Sequence, residues 1–214
     1  MGKKARQRAT SIYNFLNMDF ELMQFDGRWR DAFDQPEKFG VWYVGGRPTN
    51  GKTSFVVQLM HELAKQEMSI RFYNFEEQRS KSMQDAVRRE NIDPQIAKRI
   101  QVVNWLMTYA DIRKDIDSTR SNVIVIDTIQ KSGLKPKQVE ELRELYSQKL
   151  LVFVSHVQPN GLPDKATGVQ AYRDASLKIF VDRFRAISQG RYFGELGYYD
   201  VWPEKAAKEW GENI

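Results

Sequence analysis

The chain has 214 residues, 41% hydrophobic and 29% charged, with a net charge of +5, so it is an ordinary globular domain with a mild leaning toward a polyanionic partner. It has no cysteines and two histidines, which excludes disulfides and thiolate metal sites and disfavours a histidine-rich zinc site. No apolar run approaches the roughly 18 residues of a membrane span, and no apolar signal core follows the basic start, so a cytoplasmic protein with no membrane partner is expected.

Residues 1–38 read as a basic, aromatic-rich N-terminal arm. Lys3, Lys4, Arg6 and Arg8 suit either contact with nucleic-acid phosphates or a solubilising tail. Phe25, Trp29 and Phe33 recur every four residues, giving one apolar stripe. That stripe packs on the core or docks on a neighbouring subunit, and Gln35-Pro36 ends it.

From residue 39 strand and helix patterns alternate. Residues 41–44 form a short β-prone strand. Gly46-Arg47-Pro48-Thr49-Asn50-Gly51-Lys52-Thr53 follows and fits G-x-x-x-x-G-K-[ST], a loop of backbone N–H groups that cradles phosphates. Ser54 opens an amphipathic helix to residue 65, with Phe55, Leu59 and Leu63 four apart. Strands are expected at 70–75, 101–105, 123–126 and 150–155, with helices at 80–90, after Asp93-Pro94, at 110–118 and at 137–148. Later strands are expected at 177–181 and 198–202, and residues 203–214 form a closing helix and tail. Apolar strands without polar alternation suit a sheet covered on both faces, and the rhythm argues a doubly wound α/β fold.

In such folds ligands sit beyond the carboxyl ends of the strands. Lys52 is placed to reach the β- and γ-phosphates, and the Thr53 hydroxyl to sit on Mg²⁺. Asp127 ends an apolar strand and is the candidate second Mg²⁺ partner. Glu76 and Glu77 end another; Glu76, directly after the strand, is the candidate base for an attacking water, and helix capping is the competing role for the pair. His156 ends the fifth strand and is the candidate γ-phosphate sensor. No [NT]-K-x-D guanine motif appears, which disfavours an ordinary GTPase.

These residues together resemble the RecA-like P-loop NTPases, in particular the ATPase domain of DnaB-type and phage hexameric replicative helicases. Gly45 through Ser54 is similar to that group's G/A-R-P-S-x-G-K-T, Phe75-Glu76-Glu77 to its L-E-E element, and Ile126-Asp127-Thr128-Ile129-Gln130 to its I-D-Y-L-Q. Val154-Ser155-His156-Val157-Gln158 resembles the sensor strand, and 175–180 the strand after it. Gly190-Arg191-Tyr192-Phe193-Gly194 resembles K-x-R-x-x-x-G, whose arginine enters the neighbouring subunit's site, although Gln189 stands at the lysine and Ser176 at the acidic position of the preceding strand. The resemblance covers residues 39–202 and implies a mostly parallel twisted sheet with helices on both faces, ATP and Mg²⁺ as ligands, and a homo-oligomer of the hexameric-ring type. Only residues 1–38 precede the core, so a minimal form like those of phages and mobile elements is expected.

The resemblance also implies that loops after the fourth and fifth strands hold single-stranded nucleic acid, DNA rather than RNA. Lys131, Lys135, Lys137 and Lys165 are the candidate phosphate contacts, with ordinary solvated lysines as the alternative. The segment after Asp127 is short, so the first loop is expected to be small. Three functions stay open: a nucleic-acid-stimulated helicase or translocase motor, an ATP-switched loader or recombination mediator, and a low-turnover regulatory module. The presence of both Glu76 and Asp127 argues against the last.

Overall fold

The computed structural model describes residues 9–211, so Lys3, Lys4, Arg6 and Arg8 lie outside the described part. Two helices lead in, α1 (Ile12–Leu16) and α2 (Gly27–Phe33). There follow β1 (Gly40–Gly46), α3 (Lys52–Lys65), β2 (Ile70–Asn74), α4 (Lys81–Glu90), α5 (Pro94–Ala97), β3 (Ile100–Val103), α6 (Tyr109–Ser118) and β4 (Val123–Asp127). The chain continues through α7 (Pro136–Leu145), β5 (Leu150–His156), α8 (Lys165–Asp174), β6 (Leu177–Asp182), β7 (Arg185–Ser188), β8 (Tyr198–Asp200) and α9 (Pro203–Trp210).

All eight strands join one sheet in the order β3-β2-β4-β5-β1-β6-β7-β8. The six from β3 to β6 are parallel, and β7 and β8 run antiparallel at one edge. Residues alternate between faces, so each strand feeds two cores. Trp42, Val44, Phe72, Val125 and Val152 meet α2, α3 and α4 on one side. Val41, Tyr43, Tyr73, Ile124 and Phe153 meet α6, α7 and α8 on the other. Among the described residues no helix is long and apolar enough to cross a membrane.

The chain enters this sheet through its N-terminal stripe. Phe25, Trp29 and Phe33 are buried in the same core as Trp42 and Phe55, and Trp29 stacks on Tyr199 at 4.4 Å. The four-residue repeat therefore faces its own core. Of the two roles open for it, docking on a neighbour is the one the structure does not use.

Two elements were not expected from the sequence. Helix α8 fills a stretch to which the sequence reading assigns no element, and β7 folds back on β6. In α8 the core-facing positions are Thr167, Gly168 and Ala171, too small to register as an apolar stripe. The small side chains let the helix come close: a Cβ on Gly168 would stand 2.9 Å from Ser155 Oγ. Between β6 and β7 lie only Arg183 and Phe184, at φ 42 and 61, a two-residue turn that sequence reasoning expects to be marked by Gly or Asn. The strand expected at 101–105 stops at Val103, and that expected at 198–202 stops at Asp200.

Candidate nucleotide site

β1 and β5 are neighbours at the centre of the sheet, and their carboxyl ends bring Gly46 opposite His156. Residues 46–51 turn there and enter α3. Gly51 caps that helix at φ 94, a conformation open chiefly to glycine, and a Cβ there would also press on Phe184 at 3.1 Å. The N-terminus of a 14-residue helix thus points at a cleft of about 380 Å³. Backbone N–H groups and the helix dipole suit that end to an anion such as phosphate.

The cleft brings together most of the residues singled out in the sequence. Arg47, Pro48, Thr49, Lys52, Thr53 and Ser54 line it from the loop side, and Glu76, Glu77, Asp127 and His156 from the strand ends. Asn50 does something else. Its carbonyl accepts from Phe184 N–H at 3.0 Å and its side-chain oxygen from Arg183 N–H at 3.1 Å, so it pins the β6–β7 turn to the phosphate loop.

Lys52 is buried, and burial lowers its pKa against the pull of Asp127 and Glu76. Its ammonium donates to Gly46 O at 3.4 Å and lies 3.1 Å from His156 Nδ1. The other ring nitrogen of His156 lies 3.3 Å from Glu76 Oε2. Thr128 Oγ1 donates to the same Glu76 oxygen at 2.8 Å. Burial works against the charge on Glu76, but Thr128 and His156 outweigh it and hold the carboxyl below its usual range. Glu76 is therefore ionised at neutral pH, as a proton acceptor must be.

The adjacent Glu77 has a different set of partners. Its Oε1 accepts from Thr53 Oγ1 at 3.2 Å, and its Oε2 from Ser80 Oγ at 2.9 Å and Ser82 Oγ at 2.5 Å. Ser80 caps α4. The cap is thus Ser80 and neither glutamate; Glu77 holds that serine and Thr53, and Glu76 faces His156.

Asp127 is buried, and burial pushes its carboxyl up to about 7, with Glu76 and Glu77 adding to the rise against Lys52. Its Oδ1 has no hydrogen-bond partner. An orphaned buried carboxylate oxygen, in the cleft that also holds the Thr53 hydroxyl, fits a Mg²⁺ ion bound through water, whose charge would offset the burial.

Three further features are contacts that only the fold reveals. Phe184 and Trp202 form the far wall of the cleft, in edge contact with ring centroids 6.3 Å apart, and Lys205 sits over Trp202 at 3.8 Å. Gln130 spans two loops: its amide donates to Ser155 Oγ at 2.7 Å and Asp164 O at 2.9 Å, and its oxygen accepts from His156 N–H. The guanidinium of Arg47 donates to Pro159 O, tying the phosphate loop to the loop after β5.

Lys131, Lys135 and Lys137 are exposed around the tight turn after β4, with Lys137 already in the first turn of α7. Lys165 is exposed at the start of α8. Arg191 is exposed and lies outside the cleft. Its N–H donates to Ser176 O, next to the start of β6, so it stands at the amino ends of the parallel strands, roughly 20 Å of strand from the phosphate loop.

No family model matches the chain, and no curated protein matches it. Solved structures do. A KaiC-like protein from Pyrococcus horikoshii matches with a TM-score of 0.61, at 14% identity over 79% of this chain and 93% of its own. The flagellar accessory protein FlaH from Methanocaldococcus jannaschii matches with a TM-score of 0.57, at 13% identity over 85% of this chain and 92% of its own. The ATPase domain of G40P matches with a TM-score of 0.52, at 12% identity over 79% of this chain and 84% of its own. The fold is that of the RecA-like P-loop ATPases: a mostly parallel eight-stranded sheet with helices on both faces and the phosphate loop at its centre.

Proposed function

We propose that the chain hydrolyses ATP as a nucleic-acid-stimulated motor of helicase or translocase type, acting in DNA replication or recombination. The observation that carries this is the ionised Glu76 in the same cleft as Lys52, Thr53, Asp127 and His156. Glu76 takes the proton of a water attacking the γ-phosphate. Lys52 leaves His156 to neutralise the β- and γ-phosphate oxygens, and ADP departs as the leaving group. Thr53 and Asp127 hold Mg²⁺, which when bound neutralises charge on the phosphates. The base stacks on the Phe184–Trp202 wall.

Arg191 cannot serve its own cleft from the far end of the strands. In this reading it serves the cleft of the next copy in a homo-oligomer, where such an arginine is worth on the order of 10³ to 10⁵ in rate. The loops carrying Lys131, Lys135, Lys137 and Lys165 face single-stranded DNA. The Arg47–Pro159 contact supports this, because it connects the phosphate loop to one of those loops.

A second reading, an ATP-switched loader or recombination mediator, is favoured by the turn after β4. Thr128, Ile129, Ser132 and Leu134 are buried there, which leaves little loop for a strand to grip.

The deciding experiment is ATPase rate with and without single-stranded DNA or RNA at two salt concentrations, with Glu76→Gln as control. Stimulation that weakens with salt is expected. Unstimulated turnover would leave the mediator, and full activity in Glu76→Gln would end the catalytic assignment.

A further inference from the structure

Beside the nucleotide cleft lies a smaller one of about 200 Å³, and Ser54 and Trp202 line both. Gln58 also lines it, one helical turn beyond Ser54 on α3 and so about 6 Å further from the phosphate loop. Ala86 of α4, Val201 just after β8 and Pro203 at the start of α9 give it apolar walls. Trp202, 39% exposed, gives it an aromatic one.

The amide of Gln58 is held in one orientation. Its nitrogen donates to Val201 O at 3.1 Å, and a carbonyl can only accept, so the amide oxygen is the end turned away from Val201. Val201 is anchored in turn, its N–H donating to Phe184 O at 2.9 Å. The amide and the aromatic wall thus share one support.

Gln58 Oε1 is buried and has no hydrogen-bond partner. A buried acceptor left without a donor is costly, and such groups call for an explanation. The neighbours do not supply one. Glu90 is occupied with His61 at 2.8 Å and brings no donor, and Arg89 is exposed, which places that cation at the rim. What the pocket lacks is an N–H group carried by something flat. An aromatic face and apolar walls suit a heterocycle, and the unmet oxygen suits an amino group on its edge. A ring oxygen at the same place would set carbonyl against carbonyl.

We propose that Gln58 reads the base: its amide oxygen accepts from the exocyclic amino group of adenine, so the site selects a purine with an amino group at carbon 6 over one with oxygen there. The inference rests on the nucleotide reading of the larger cleft. Phosphates on the loop and a base on Trp202 bring the edge of that base into the smaller pocket. It adds to that reading the residue that chooses the base.

The test is equilibrium binding of ADP and IDP, which needs no turnover. IDP carries oxygen at carbon 6. A site built around a hydrogen bond rejects the analogue that cannot make it, and ADP is expected to bind at least tenfold more tightly. Gln58→Met keeps the length of the side chain and removes the acceptor. It is expected to bring the two affinities within about twofold of each other, by weakening ADP. Inorganic triphosphate, which has no base, is expected to compete as well as with the parent, which shows the loop intact. Equal binding of ADP and IDP by the parent, or a tenfold preference that survives in Gln58→Met, overturns the inference and leaves the ATPase reading standing. A parent that prefers ADP through Gln58 but turns over no ATP supports the inference and counts against the ATPase reading alone. A parent that binds neither nucleotide ends both.

Discussion

Lys52 Nζ lies 3.1 Å from His156 Nδ1, so the lysine at the start of α3 is tied to the residue at the end of β5. An ammonium can only donate, so Nδ1 accepts and Nε2 carries the ring proton toward Glu76. In the proposed mechanism the order Lys52, His156, Glu76 links the phosphate contact to the base. In that mechanism an arriving γ-phosphate would compete for Lys52 and leave the ring free to reorient.

His156→Ala is accordingly expected to keep nucleotide affinity within about threefold while kcat falls roughly 10- to 100-fold. Glu76→Gln is expected to lose about 10² to 10⁴ in kcat, the usual worth of a positioned base. Fluorescent-nucleotide binding and steady-state kinetics on the same preparations separate the two effects. Lost binding with kcat preserved would show that His156 only shapes the pocket.

Trp202 offers a test of the base wall. Base–aromatic stacking is worth about 1–3 kcal/mol, so Trp202→Ala should raise KM for ATP roughly 5- to 100-fold with kcat little changed. Trp202→Phe should recover most of the loss. Inorganic triphosphate lacks a base, and its inhibition constant should stay the same in all three proteins. A parallel weakening of triphosphate would place Trp202 at the phosphates instead.

That the loop and the strand-end residues share one cleft was legible in the sequence because their pattern is local. A glycine loop between a strand and a helix specifies its own geometry, and Asp127, Glu76 and His156 announce themselves by ending apolar strands. The aromatic wall proposed for the base was not legible. Phe184 and Trp202 are brought together by a turn lacking Gly and Asn, and by a bend after a three-residue strand, so nothing in their own neighbourhoods marks them. Strand order is likewise set by which faces fit, and α8 was hidden because its buried side is made of small residues. Asn50 is the mixed case: the motif places it in the loop, but only the fold gives it the β6–β7 turn to hold.

Tyr43 gives a pH prediction. It is buried, and burial raises its pKa from 10.0 to about 12. The folded chain thus favours the neutral phenol. Stability from this group is fully present below pH 10 and is lost as pH rises from 10 toward 12. A two-unit shift corresponds to about 3 kcal/mol when the whole window is crossed. Tyr43→Phe should match the parent's melting temperature at pH 8 and exceed it at pH 11. Equal losses in both proteins would assign the alkaline transition to other groups.

Trp29 tests whether the N-terminal stripe is core. It stacks on Tyr199 and also meets Phe25, Phe33 and Phe55. Trp29→Ala should cost about 3–5 kcal/mol in chemical denaturation, as for other buried aromatics. A loss below about 1 kcal/mol would mean that α2 is an appendage.

The hydrogen bond from Arg47 to the Pro159 carbonyl joins the 46–53 loop to the loop after β5. Thermodynamic linkage then runs both ways. In the proposed reading, any ligand held by the 157–164 loop changes the dissociation constant for ATP by the same factor by which ATP changes that ligand's own. Arg47→Ala should bring that factor close to one while leaving each ligand able to bind alone.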